Sequence, residues 1–265
     1  MPELPEVESV RRRAERALRG RRIAEVKAAP DSIVYEGVSP RQFEDALTGR
    51  RVLAVRRKGK HLWMELDRRP WPLFHFGMTG WFELYRREED RPRFWKVELL
   101  MDDGTRLAMP DGRRLGRIRL RYEPEREAPL AGLGKDLLLD PPSEGELVRL
   151  LARRSAPIKA VLLDQAVFAG VGNWIADEVL FQSRIRPDRH ASRLSRAEVR
   201  RLRSRLVSVV KRAVRVDADS DRFPRGWLFH RRWGKNREAR TAAGERIVHH
   251  AIGGRTTAWV PARQR

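Results

Sequence analysis

The residues best placed to do chemistry stand at the start of the chain. Pro2 follows Met1, and a Met before a small residue is normally trimmed, which leaves a free secondary amine. An α-amine has a pKa of about 8, well below that of lysine, so a usable neutral fraction exists near neutral pH. A secondary amine that attacks a sugar C1′ gives an iminium ion directly. Two carboxylates, Glu3 and Glu6, lie close by, and one of them could protonate a sugar oxygen. The same residues also read as an ordinary helix start, with acids favoured by the helix dipole. On spacing alone that plainer reading is the stronger.

The elements that must position these groups are readable from periodicity. Pro5 suits an early helical position, and Val7, Val10, Ala14, Ala17 and Leu18 follow at helical spacing until Gly20. From about Arg22 to Tyr122 the pattern is that of strands: Leu62, Met64 and Leu66 alternate, then Val97, Leu99 and Met101, then Ile118, Leu120 and Tyr122. Asp103-Gly104 is a tight-turn signal. Arg117, Arg119 and Arg121 fall opposite the apolar set on their strand, which predicts one core face and one basic face. Prolines and glycines gather over 123–142. Beyond them the period is helical, with helices expected near 143–153, 157–167, 173–183 and 195–214 and capping-box spacing at Ser143/Glu146 and Ser195/Glu198. From about Phe229 the pattern returns to strands, turning at Gly253-Gly254. The expected class is α+β. An N-terminal β-rich domain takes 1–125, a linker 126–142, a helical domain 143–228 and a small basic β unit 229–265.

Composition narrows the partner. Lys and Arg number 57 against 36 Asp and Glu, a net charge of +21 in 265 residues. Such an excess points to a polyanion, nucleic acid first and an acidic membrane surface second. No lipid anchor or amphipathic membrane helix is evident, no stretch approaches the ~20 apolar residues of a membrane span, and MPELPEVESVRRR lacks a signal-peptide core. A cytoplasmic, nucleoid-associated monomer is expected. Cysteine is absent, so thiolate-bound zinc is excluded, and adjacent His249 and His250 make a poor chelate because neighbours on a strand face opposite ways. No metal and no cofactor are expected.

Several blocks, in order along the whole chain, resemble one family. MPELPEVESVRR is similar to the N-terminus of the formamidopyrimidine-DNA glycosylases, the Fpg (MutM) branch of the Fpg/Nei family. RRKGKHLWMEL resembles the strand-turn with that family's essential lysine, here Lys60, and FHFGMTG its HxGM[ST]G segment, here with His75 and Met78. DGRRLGRIRL resembles D-x-R-R-F-G, placing Arg113, Arg114 and Leu115; GVGNWIADEVLF resembles a helix entrance, placing Asn173; GGRTTAWVPARQ resembles the last hairpin, placing Arg255. The resemblance implies an N-terminal helix on a two-layered β-sandwich, a helix–two-turn–helix domain and a C-terminal β-hairpin finger. It implies a bifunctional glycosylase and abasic-site lyase acting on damaged double-stranded DNA. Pro2 would attack C1′, Glu3 would protonate a sugar oxygen, and Glu6 would position that chemistry. Lys60, His75, Arg154, Asn173 and Arg255 would hold phosphates. Met78, Arg113 and Leu115 would fill the hole left by a flipped nucleotide. Plainer roles stand beside these: a turn lysine, a core methionine, a helix N-cap at Asn173 and surface charge at Arg255.

Three departures bear on substrate. The family's four zinc-binding cysteines align with Arg240, Ala243, Val260 and Arg263, which implies a zincless finger held by packing, with Ile247, Val248 and Trp259 as candidates. The family's Phe wedge is Leu115, and a phosphate-contacting histidine is replaced near Phe94. The glycine-rich loop that caps oxidised guanine is reduced to DADSDRFPRGW between a helix ending near Val216 and a strand near Leu228. Oxidised purines, ring-opened formamidopyrimidines, oxidised pyrimidines and abasic sites stay open as substrates. A non-catalytic, structure-selective DNA-binding protein is the competing reading.

Overall fold

The computed structural model describes residues 2–234 and 238–265. Its contacts divide the chain into two units, one of Pro2 with Glu6–Gly132, the other of Glu3–Pro5 with Leu133–Arg265.

Helix α1 runs Leu4–Leu18. It buries Val7, Ala14 and Leu18 in the core of the first unit and Leu4 in that of the second. It ends because Gly20 takes a φ of 82°, which a side chain resists. The first unit then folds into two antiparallel four-stranded sheets. One has the order β1 (Ile23–Ala28), β6 (Trp95–Met101), β7 (Arg106–Pro110), β5 (Glu83–Tyr85). The other has the order β2 (Val52–Lys58), β3 (His61–Leu66), β4 (Trp71–His75), β8 (Arg117–Arg121). Leu62, Met64 and Leu66 from one sheet share a single core with Val97, Leu99 and Met101 from the other. That shared core makes a sandwich, the arrangement that buries one face of each sheet.

Two features of this unit depart from the sequence pattern. Helix α2 (Pro40–Leu47) interrupts the strands, closed by a Ser39/Gln42 capping box with Pro40 in its first turn. Both signals are in the sequence, but two buried residues, Phe43 and Leu47, are too few for a visible period. The basic face of β8 is not an open stripe. Arg119 is buried and donates both ends of its fork to Glu36, at 2.7 and 2.8 Å.

The second unit is helical. Helices α3 (Glu144–Ala152), α4 (Ile158–Leu163), α5 (Asn173–Ser183) and α6 (Arg196–Arg215) enclose a core that includes Leu147, Ile158, Ile175 and Leu206. Ser143 and Ser195 do cap α3 and α6 through Glu146 and Glu198. Helix α4 is shorter than expected because the Asp164 carboxylate accepts from Ala166 N, an Asx turn that diverts the chain. It leads into β10 (Phe168–Ala169), which pairs in parallel with β9 (Lys135–Asp136). Leu228 begins a short 3-10 turn rather than a strand. The closing hairpin is β11 (Val248–Ile252) and β12 (Arg255–Trp259), with Ile252 opposite Arg255 across the Gly253-Gly254 turn.

Candidate functional site

The N-terminal carboxylate is held by the second unit. Glu3 is buried and accepts backbone N–H bonds from Gly172 (2.9 Å), Trp174 (2.9 Å) and Ile175 (3.2 Å) at the start of α5. Four N–H groups are orphaned at any helix N-terminus, and the dipole there favours an anion. Glu3 supplies both the acceptor and the charge. Gly172 is therefore a packing requirement, since a Cβ on it would lie 2.3 Å from Glu3 Cδ. Glu6 is half-buried in the first turn of α1. Pro2 is half-buried and precedes the helix.

Asn173 is not the N-cap of α5; that position is Gly172. The Asn173 side chain instead donates Nδ2 to Thr256 O on β12, 2.9 Å away. It thereby ties α5 to the strand that carries Arg255. Its Oδ1 is buried without a hydrogen-bond partner among the described residues. A cavity of about 410 Å³ opens here, lined by Asn173, Arg232, Trp233 and Thr256 among others. Arg255 is exposed at the turn, and no carboxylate pairs with it among the described residues. Gly253 packs tightly on α4, where an added Cβ would stand 3.0 Å from Ala160 Cβ.

The hairpin is fastened by charge at its base. Asp177, fully buried on α5, accepts from Lys159 Nζ on α4, from Arg232 Nε and Nη2 (3.0 and 2.6 Å) and from Ala258 N on β12 (3.2 Å). Lys159 Nζ also donates to Asn173 O at 3.3 Å. Burial pushes the Lys159 amine down, against the pull of Asp177. The positions aligned with zinc ligands take part in other ties: Arg240 donates to Gly244 O and Ala243 N to Thr241 Oγ1, each at 3.2 Å. Arg263 pairs with Glu245 (Nε–Oε1 3.0 Å, Nη2–Oε2 2.8 Å), while Val260 packs with Ile247, Ala258, Phe181 and Leu228. Ile247 is thus in the apolar anchor, whereas Val248 and Trp259 are not members of it. Among the described residues no group of three or more His, Asp or Glu is arranged to hold a metal.

In the first unit, Lys60 lies in the β2–β3 turn, where Gly59 takes a φ of 58°. Arg57 braces that turn, donating Nη1 to Gly59 O (3.0 Å) and Nε to Glu8 (3.0 Å). Burial pushes the Glu8 carboxyl up, but hydrogen bonds and charge from Arg11 and Arg57 outweigh it and hold it below the usual range. His75 faces His61 across β3 and β4 with ring centroids 4.8 Å apart. Burial, then the charge of His75, lowers His61 to about 3; burial, then the charge of Lys60, lowers His75 to about 4, so both rings are neutral near pH 7. Gly77 N donates to His75 Nδ1 at 3.2 Å, which puts the ring proton on Nε2.

Met78, Arg113 and Leu115 come from two loops that are locked together. A Cβ on Gly77 would lie 2.4 Å from the Leu115 carbonyl carbon, so only glycine permits this approach, and its φ of 60° suits none better. Buried Asp111 is the hub. It accepts from Thr79 Oγ1 (2.9 Å) in one loop and from Arg113 N (3.2 Å) and Gly116 N (2.7 Å) in the other. Met78, Leu115 and Arg113 are left exposed. Arg114 differs from its neighbours. Its guanidinium grips Asp31 at 2.9 and 3.0 Å, and Asp31 also takes Lys96 at 2.8 Å. Burial would raise the Asp31 carboxyl, yet these cations hold it far below the usual range. Arg154 makes only a loose, exposed pair with Asp164 at 3.8 Å.

Sequence reasoning missed the buried partners: Asp31, Asp111, His61, Lys159, Asp177 and Arg232. One signal was present. A lysine among the apolar residues of PIKAVLL has to find an acid if it is buried.

The two units, a sandwich and a helical domain with a terminal hairpin, match known proteins along their length. Residues 1–118 match the model of the formamidopyrimidine-DNA glycosylase N-terminal domain, and residues 133–224 match that of the formamidopyrimidine-DNA glycosylase H2TH domain. A formamidopyrimidine-DNA glycosylase of Arabidopsis thaliana is 42% identical, over all of this chain and 71% of its own length. One from Pelobacter propionicus is 33% identical over 98% of both chains. The crystal structure of Lactococcus lactis Fpg (MutM) with DNA containing N7-benzyl-Fapy-dG superposes with a TM-score of 0.86 at 25% identity, over 100% of both chains. This chain belongs to the formamidopyrimidine-DNA glycosylase family. No helix among the described residues is long and apolar enough to cross a membrane.

Proposed function

We propose that this protein is a base-excision-repair DNA glycosylase with a built-in abasic-site lyase, acting on damaged double-stranded DNA through the amine of Pro2. The observation that carries the reading is the burial of Glu3 on the α5 N-terminus, which fixes the residue next to the nucleophile. The Pro2 nitrogen bonds to C1′ of the damaged nucleotide as the bond from C1′ to the base breaks. The base leaves with that electron pair and takes up a proton. Opening of the sugar ring gives an iminium, and this cation is the electron sink for loss of the 3′ phosphate by β-elimination, then of the 5′ phosphate by δ-elimination. No metal or organic cofactor enters these steps. The three N–H bonds to Glu3 are an acceptor's contacts, so its carboxylate fits stabilising the cationic iminium and guiding protons at the sugar oxygen. Glu6 assists in positioning.

Lys60, the Nε2–H of neutral His75, Asn173 and Arg255 bind phosphates around the lesion, with Arg154 an outer contact. Met78, Arg113 and Leu115 enter the space the flipped nucleotide leaves. Arg114 serves this group through its grip on Asp31, which shapes the loop from behind. The protein acts as a cytoplasmic monomer on the nucleoid, with affinity that falls steeply with salt.

One observation favours a substrate range narrower in oxidised guanine. The short segment after α6 is packed down: Phe223 and Trp227 are buried, and their rings lie 5.0 Å apart against Trp174. A segment so anchored does not fold over a base. Formamidopyrimidines, oxidised pyrimidines and abasic sites are then preferred to 8-oxoguanine.

Borohydride trapping on duplexes carrying each lesion tests both statements. A covalent adduct is expected with the Met1-free protein and not with Pro2→Gly. Absence of any adduct, with Met1 removed and DNA still bound, means a structure-selective binding protein instead.

A further inference from the structure

Phe94 is an aromatic residue that the reading above does not use. It precedes β6, is 62% exposed, and has a φ of 59°. A bulky residue in the left-handed region is strained, and such strain persists where surrounding structure imposes it, most often at functional sites. Here the imposing structure is the hub loop itself. Asp111 N donates to Phe94 O at 3.0 Å, and the ring lies beside Gly112, where an added Cβ would be 3.4 Å from the ring edge. The guanidinium of Arg93 covers the ring at 5.3 Å. Asp111 thus ties Phe94 to the same loop that presents Arg113 and Leu115, and to Met78 through Thr79.

We propose that Phe94 is a further DNA-reading residue: its exposed ring stacks on the π face of a nucleobase in the opened duplex, beside the Met78, Arg113 and Leu115 group. The proposal rests on the reading of that group as the one entering the duplex. A rigid ring with two rotatable bonds loses little entropy on stacking, and base–aromatic stacking tolerates any sequence because every base has a π face. A ring held for core packing would be buried, and one held only by chance would sit in a relaxed backbone.

The test separates stability from binding. Phe94→Gly relieves the φ of 59°, so its Tm should rise, while KM on a lesion duplex should increase about tenfold, the scale of one lost base stack. Borohydride trapping on a single-stranded abasic oligonucleotide, which has no stack to enter, should be unchanged, and Phe94→Trp should restore KM. Duplexes with 2-aminopurine flanking the lesion should lose their quenching change with Phe94→Gly. Unaltered KM and 2-aminopurine signal in Phe94→Gly would overturn the proposal, as would a Tm and activity that fall together. Met78→Ala and Leu115→Ala report on the parent reading. If they weaken duplex binding and Phe94→Gly does not, only Phe94 is excluded. If Phe94→Gly weakens binding and they do not, Phe94 stacks and the parent group does not enter the duplex.

Discussion

Two buried aspartates organise the two units, and they do so with different partners. Asp111 in the sandwich accepts, among the described residues, from neutral donors: two backbone N–H groups and a threonine hydroxyl. Asp177 in the helical unit accepts from two cations and one backbone N–H. Neutral donors define a loop's shape and leave its side chains, Met78 and Leu115 among them, exposed. A buried ion cluster fastens separate elements, α4, α5 and the hairpin. Asp177, with Arg232, ties the base of the hairpin through Ala258, while Arg263 and Val260 tie the chain beyond it.

The largest effect should come from breaking the ion cluster. Asp177→Asn leaves Lys159 and Arg232 buried without their counter-charge, which costs about 3–5 kcal/mol. Chemical denaturation should show it as loss of the helical unit's transition, and Arg232→Met, which leaves the Lys159 pair, should cost less. Equal, small losses from both would mean that the cluster is not what fastens the hairpin. Asp111→Ala should rank second, at about 2–3 kcal/mol, because it strands buried N–H donors but leaves no buried cation without its counter-charge. Its stronger signature is functional: duplex binding should fall while trapping on single-stranded abasic DNA persists. Retained duplex affinity would break the assignment of Asp111 to the reading loops.

The units should also respond oppositely to pH. His61 and His75 have folded pKa values lowered to about 3 and about 4 from 6.5. The stability they confer on the sandwich is fully present above about pH 6.5 and is lost as pH falls toward these values. Glu178, buried on α5 and accepting from Phe229 N and Gln182, is pushed up by burial to about 7 from 4.5. Its contribution to the helical unit is complete below about pH 4.5 and is lost as pH rises through about 7. Hydrogen exchange resolved by segment should therefore show the sandwich loosening toward acid and the helical unit toward base. His61→Phe should flatten the first trend and Glu178→Gln the second; parallel trends would show that these groups do not control the slopes. The smallest expected effect is none at all. Excess chelator should leave both the melt and the borohydride adduct unchanged, and a chelator-sensitive melt would refute the zincless finger.

Legibility differed by residue. Helices α1, α3, α5 and α6 were plain because apolar periods and serine caps are local signals. Helix α2 was hidden because two buried residues make no period, and α4 was overextended because an Asx turn at Asp164 lies inside an apolar run. Among site residues, the block resemblance pointed to Met78, Arg113 and Leu115, and the fold brings them to one place. It also included Arg114, whose φ of 56° and grip on Asp31, 83 positions away, no spacing reveals.

By itself the sequence determined the strong positive charge, the family and the absence of any thiolate ligand, since charge, motif order and residue type need no third dimension. Tertiary structure alone decided that Glu3 caps α5, that Gly172 admits it, that Asn173 ties down the Arg255 hairpin, and that Asp111 and Asp177 hold a loop pair and a hairpin in place. The physical reason is common to all four. Each is a bond between buried polar groups far apart in the chain, and such groups are placed by the need to satisfy one another out of water, which leaves no periodic trace in the sequence.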